Sequence, residues 1–291
     1  MAFLAGAVLL WGTSFAVTKA AYSALPAMYV AWFRMLVATV AFLPLLRFVR
    51  RPTYVAGDWK LIALALSFIP CAYFAFEGFA ITFTTSSQAG VITAMLPLVV
   101  AVIAWMGWKE KPNRRTTVGI VASVVGVVVL SLASASQVAA PNPMLGNTLE
   151  LGAMLAAAGS TLTVKRLSVR YDPLLLTGLQ MAAGSVFFAP LALTTGKVDL
   201  TAVPTQAWLA VAYLGVGCGL AAFGLFNAAL RWLSASRVAL GANVIPVVAL
   251  ATGWLALGET MSLVQGAACA VILGSVVYAQ YSPKQTTSAA A

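Results

Sequence analysis

The chain has 291 residues, of which 62% are hydrophobic and only 8% charged. A soluble domain carries about 25% charged residues and needs them to face water, so this composition excludes a water-soluble globule and makes lipid the solvent. The net charge of +10 would suggest nucleic acid in a soluble protein; here it is read as a topology signal.

Runs of about 20 apolar residues cross a hydrocarbon core as helices. Stretches such as 118–132 are apolar on every side, unlike the alternating strands of a membrane β-barrel. In chain order the expected spans are 2–21, 28–48, 60–81, 87–108, 116–134, 147–165, 173–193, 207–230, 236–257 and 262–281. The first has no basic region ahead of it and is read as a retained helix rather than a cleaved leader. Connections are short, and the small, polar tail 282–291 is expected to be disordered. The fold class expected is all-α integral membrane with ten transmembrane helices.

Basic residues mark orientation, because short cytoplasmic loops retain them. Arg47, Arg50, Arg51 and Lys60 fall in one connection, and Lys109, Lys111, Arg114 and Arg115 in the next but one. Lys165, Arg166 and Arg170 continue the set, followed by Arg231, Arg237 and Lys284. The alternate connections hold only Lys197, and Lys19 and Arg34 lie within spans. Both termini are therefore expected in the cytoplasm, with the chain in the cell inner membrane.

An internal repeat divides the chain into 1–135 and 146–281. At an offset of 146, Gly6 meets Gly152, Ser14 meets Ser160, Lys19 meets Lys165 and Pro44 meets Pro190. At 149, Ser87 meets Ser236, Pro97 meets Pro246, Trp105 meets Trp254 and Glu110 meets Glu259. Five helices per unit is an odd number, so the second unit enters the membrane upside down. Inverted repeats are a recurring design of secondary transporters.

Trp11-Gly12-Thr13-Ser14-Phe15 followed by Lys19 and Arg34 resembles the start of EamA-type members of the drug/metabolite transporter superfamily. So does Asn227-Ala228-Ala229-Leu230 leading through Ser234-Ala235-Ser236 to Pro246 and Leu257-Gly258-Glu259. The resemblance spans both halves and implies ten helices, internal duplication, cytoplasmic termini and export of small metabolites, amino acids or drugs. The second half departs from it at Ala157, Ala158 and Gly159, where the first has Trp11, Gly12 and Thr13; the two halves are expected to do different work.

Ionisable groups inside a membrane are costly and face protein or a water-filled cavity. Lys19, Arg34 and Glu77 are expected at one depth, as a salt-bridge cluster or as a site for a charged solute. Glu77 is read as the one clearly intramembrane acid, hence the candidate for proton coupling. The corresponding second-half positions are neutral, near Gln180 and Asn227. Pro97 and Pro246 are expected as midplane kinks, lining the cavity or acting as hinges. Trp11, Thr13, Ser14, Tyr73, Gln88, Thr93, Ser160, Asn227 and Asn243 are expected around a central cavity, although such residues also pack helices together. Gly119, Gly126 and the run Gly215-Val216-Gly217-Cys218-Gly219 are read as close helix contacts; a phosphate loop is rejected for lack of the following Lys-Ser/Thr.

Cys71, Cys218 and Cys269 lie in apolar runs, and the chain has no His, so neither a metal nor another cofactor is expected. An integral-membrane enzyme lacks a catalytic constellation here, and a retinal-type receptor lacks a mid-helix lysine. The expected function is a secondary transporter, an exporter of amphipathic metabolites such as amino acids, aromatic ones included. Drug, nucleoside or other metabolite efflux is the alternative. Its partners would be the solute, membrane lipid and a coupling proton.

Overall fold

A computed structural model describes residues 2–50, 52–108, 113–134, 140–196, 198–233, 238 and 242–280. The tail 282–291, the basic residues Arg51, Lys109, Lys111, Lys197, Arg237 and Lys284, and the repeat positions Glu110 and Ser236 lie outside the described residues.

Helix α1 is Ala2–Ala21. Pro26 ends the following turn and opens α2, Ala27–Phe42, which tightens into a 3-10 turn at Leu43–Phe48. α3 (Asp58–Leu66) and α4 (Tyr73–Phe83) are joined by a wide turn, Ser67–Ala72, where Ile69 leaves helical geometry ahead of Pro70. α5 (Ser86–Ile92) runs through a 3-10 turn, Thr93–Met95, into α6 (Leu96–Trp108). Asn113 caps α7 (Arg114–Leu132), and Asn142 caps α8 (Pro143–Leu167). Asp172 caps α9, Pro173–Thr194. α10 (Thr205–Ala212) and α11 (Phe223–Trp232) flank a second wide segment, Tyr213–Ala222. A 3-10 turn, Ala242–Val244, precedes α12 (Ile245–Leu257), and α13 is Leu263–Gln280.

Among the described residues, seven helical runs are long and apolar enough to cross a membrane, and Ala242–Leu257 and Leu263–Ala279 are shorter apolar helices. α8 has the length, 25 residues, but its apolar character is diluted by inward polar groups: Asn147, Glu150, Ser160 and Thr161 are all buried. Large apolar side chains such as Val121, Val186, Leu209 and Val277 face outward instead. An apolar exterior over a core that also holds these polar groups suits a lipid solvent.

The irregular segments keep the register of the sequence repeat. The wide turns begin at Ser67 and Tyr213, 146 residues apart, and the 3-10 turns at Thr93 and Ala242, 149 apart. Packing follows the same rule: α8 lies against α3–α4 as α1 lies against α10–α11, while α2 packs on α9 and α7 on α13. Lys19 Nζ donates to the carbonyls of Ile81 and Thr84 at 2.6 and 2.7 Å. Lys165, its repeat partner, donates to Leu230 O at 2.6 Å. Each ammonium thus occupies the negative end of a neighbouring helix, where the last carbonyls lack intrahelical donors.

The prolines differ from expectation. Pro246 stands in the first turn of α12 and Pro97 is the second residue of α6. Each begins a helix after a 3-10 turn, where its missing N–H is tolerated.

Gly119 lets α7 meet α13 closely. A Cβ there would stand 2.6 Å from Ala279 Cβ and 2.8 Å from the Ser275 carbonyl. That carbonyl is backbone and cannot rotate away. Gly119→Leu is expected to cost about 1–3 kcal/mol through overpacking, visible as a lower melting temperature in detergent. An unchanged melting temperature would show that the two helices can separate freely.

Candidate functional site

Helix periodicity directs a set of side chains into one narrow cavity. α1 contributes Trp11, Ser14 and Phe15, and α4 contributes Tyr73, Phe74 and Glu77. α8 supplies Met154, Ala157 and Thr161, and α11 supplies Phe223 and Phe226. These are spacings of three, four and seven, which place residues on one helical face. Arg34 enters from α2, Ile69 from the wide turn, and Thr93, Leu96, Ala242 and Ile245 from the two 3-10 turns and the helix starts that follow them.

Five pairs of wall residues stand at the repeat offsets. Trp11 and Ala157, Phe15 and Thr161, and Glu77 and Phe223 are 146 apart; Thr93 and Ala242, and Leu96 and Ile245, are 149 apart. The cavity wall therefore draws on both halves of the sequence at matched offsets. Its chemistry is lopsided: Trp11, Glu77 and Thr93 in the first repeat oppose Ala157, Phe223 and Ala242 in the second.

Arg34 and Glu77 form the charged end of the cavity. Arg34 Nη1 is 3.8 Å from Glu77 Oε2, and both side chains are buried. The guanidinium carbon lies 4.5 Å from the centre of the Phe74 ring, a cation–π arrangement. Tyr73 OH donates to Glu77 Oε1 at 2.7 Å. Arg34 Nε is buried without a hydrogen-bond partner, so the site holds a donor for one further acceptor. Trp11 Nε1 donates to Cys218 O at 3.3 Å, and its ring packs on Phe223 and Phe226 with centroids 4.8 and 5.0 Å away.

The expected cluster of three charges divides. Lys19 is engaged with the α4 carbonyls, apart from the Arg34–Glu77 pair. Of the expected cavity residues, Trp11, Ser14, Tyr73 and Thr93 stand on its wall. Thr13 instead hydrogen-bonds Tyr213 OH. Gln88 lies in a buried polar knot, its Oε1 accepting from Thr84 Oγ1 and Asn147 Nδ2. Asn227 Nδ2 donates to Gln180 Oε1 and Thr177 Oγ1 at 3.0 and 2.9 Å, and Gln180 reaches towards Ser160. Asn243 sits in the 3-10 turn between wall residues without being one. Gln180, at the offset from Arg34, is thus held by the neutral Asn227, one turn beyond Phe223, the position at the offset from Glu77.

Sequence reasoning passed over Glu150. The expected sixth span began at 147 and left Glu150 at the interface. The helix starts at Pro143, so Glu150 lies two turns inside and is fully buried. Glu77 is therefore not the one acid buried on an inward helix face. The apolar wall, including Phe15, Phe74, Met154 and Phe226, was also missed, although its spacing from Trp11, Tyr73 and Asn227 was open to inspection.

The sequence pattern of the EamA-like transporter family matches residues 1–132 and 144–279. The chain is 27% identical to the uncharacterized transporter YetK of Bacillus subtilis, over 97% of this chain and 87% of that one. It is 26% identical to a probable amino-acid metabolite efflux pump of Salmonella typhimurium, over 92% and 90%. A solved structure titled only as a crystal structure of protein shares the fold, with a TM-score of 0.65 at 20% identity, covering 96% and 95%.

Proposed function

The chain belongs to the EamA-like transporter family, and on that premise we propose that it exports small amphipathic metabolites, most specifically amino acids, aromatic ones included. It does so from a ten-span fold of two inverted repeats in the cell inner membrane, with both termini in the cytoplasm. Support for the repeat comes from the paired wall positions, the matched irregular turns and the family pattern occurring twice. Two related halves facing one cavity can exchange conformations and open it to either side in turn.

The observation that carries the substrate class is the Arg34–Glu77 pair set against an aromatic wall. A zwitterion presents a carboxylate and an ammonium side by side. The guanidinium, with its unused Nε–H, suits the first, and the Glu77 carboxylate suits the second. Trp11, Phe223 and Phe226 then face an apolar side chain. The Salmonella relative, a probable amino-acid metabolite efflux pump, points the same way.

Counterflow of labelled phenylalanine and leucine into proteoliposomes tests this. Saturable exchange is expected, with apparent affinity about tenfold weaker in Trp11→Ala from ~1.5 kcal/mol of lost ring contact. Exchange of a cationic drug or a nucleoside without any exchange of amino acids would transfer the assignment to the alternative class.

A further inference from the structure

Among the described residues, Glu150 is an acid buried without a hydrogen-bond partner to either carboxyl oxygen. It lies one turn before Met154 on the α8 stripe that continues through Ala157 to Thr161 along the cavity wall. α8 packs on α4, which carries Glu77: Gly146 faces Ala80 and Thr84 and Gly152 faces Phe76, which sets Glu150 level with Glu77.

The surroundings offer Glu150 no ready compensation. Tyr73 on α4 and Tyr22 just beyond α1 are in electrostatic reach, but the Tyr73 hydroxyl already donates to Glu77. Asn147 Nδ2 is engaged by Gln88 on α5 and Ser131 on α7. α6 carries no titratable side chain, and the wide turn before α4 brings Cys71. Asp58 and Lys60 on α3 and Arg231 on α11 stand towards the opposite end of α8, as do its own Lys165 and Arg166. Arg34 on α2 is paired with Glu77, and Lys19 on α1 is engaged by the carbonyls of Ile81 and Thr84.

Charge counting then decides. Arg34 balances Glu77, so an ionised Glu150 with no hydrogen-bond donor adds a net buried negative charge, and an uncompensated ion away from water costs several kcal/mol. One bound proton removes that cost. We propose that Glu150 and Glu77 form a one-proton carboxyl pair set against Arg34, and that this pair is the proton-binding site of the protein. The proton arrives from water in the cavity and returns to it, with no other bond made or broken. The coupling role rests on the transporter reading above; the bound proton does not.

Infrared spectroscopy of the full chain in lipid vesicles reads the proton directly, and the chain's seven acidic residues keep the carboxyl region simple. At neutral pH the wild type is expected to show the C=O stretch of one protonated carboxylic acid, shifted in heavy water. Glu150→Gln is expected to abolish it. Glu77→Gln is expected to abolish it too, because either change leaves one guanidinium facing one carboxylate. A wild type without the band overturns the proposal, and would mean that Glu150 waits as an anion for a cationic group. A band that persists in Glu150→Gln also overturns it. Accumulation of labelled leucine driven by a pH gradient tests the coupling, with at least a tenfold loss expected in Glu150→Gln. Leucine exchange that no pH gradient can drive removes the coupling role. Absence of exchange sinks the substrate reading, while the band still decides the pair.

Discussion

Arg34→Met is expected to abolish exchange and to destabilise the protein by about 3–5 kcal/mol, the range for removing one partner of a buried ion pair. The loss comes from what remains. Glu77 would stay buried with Tyr73 as its donor and Glu150 nearby, but with no cation against it. The Phe74 ring would also lose the guanidinium above it. The double variant Arg34→Met/Glu77→Met removes both charges together and should recover stability to within about 1–2 kcal/mol of wild type, because buried pairs are often replaceable by apolar side chains of similar volume. It should not recover transport, since the pair is the polar end of the cavity. Arg34→Lys keeps the charge but loses the planar fork and the stacking on Phe74, and should fall between. Melting temperatures in detergent, read beside counterflow, check all three. A double variant no more stable than Arg34→Met would show that the pair does not set the electrostatics of this site.

Much of the architecture was legible because a membrane imposes one strong rule. Long apolar runs separated by short charged breaks locate helices whatever their tertiary contacts. The repeat offsets carried further than span prediction usually does, since they also register the wide turns at Ser67 and Tyr213 and the 3-10 turns at Thr93 and Ala242. The site was harder to read. Trp11, Ser14, Tyr73 and Thr93 stand on the cavity wall because the polar faces of their helices turn inward. Thr13 and Asn227 are polar and inward too, yet they serve contacts between helices. Hydropathy separates lipid-facing from protein-facing positions; it does not separate cavity from interhelical contact, which depends on helix rotation and neighbour. Lys19 illustrates the same limit. Its depth in the sequence matched Arg34 and Glu77, but its long side chain reaches the end of α4. Glu150 was missed for the opposite reason: an error of one turn at a helix start moved a buried acid to the interface.

Glu259→Ala is expected to cost about 2–3 kcal/mol, a large effect for a side chain outside the cavity. Glu259 follows α12, whose end is turned by Gly258 in the left-handed conformation at φ 64°. That turn brings the carboxylate to the start of α5. Oε1 accepts from the N–H of Ser86 at 2.8 Å and from its hydroxyl at 2.9 Å, and Oε2 accepts from the N–H of Ser87 at 2.9 Å. Thr85, the local cap, accepts only from the N–H of Gln88, at 3.2 Å. Glu259 therefore acts as a second cap supplied from the other repeat, satisfying two first-turn donors and placing negative charge at the positive end of the helix. Hydrogen bonds to a charged group contribute about 1.5–3 kcal/mol each when lost; partial replacement by water at this half-buried site keeps the expected total near the low end. Glu259→Gln retains one acceptor oxygen and should lose roughly half as much. Hydrogen exchange distinguishes this local tie from a general weakening: the amides of Ser86 and Ser87 should lose protection in Glu259→Ala while those in α7 keep theirs. Equal loss in both places would mean that Glu259 supports the fold as a whole. Protection lost only at α5 would fix Glu259 as the link holding α12 to α5, the two helices that adjoin the paired 3-10 turns of the cavity.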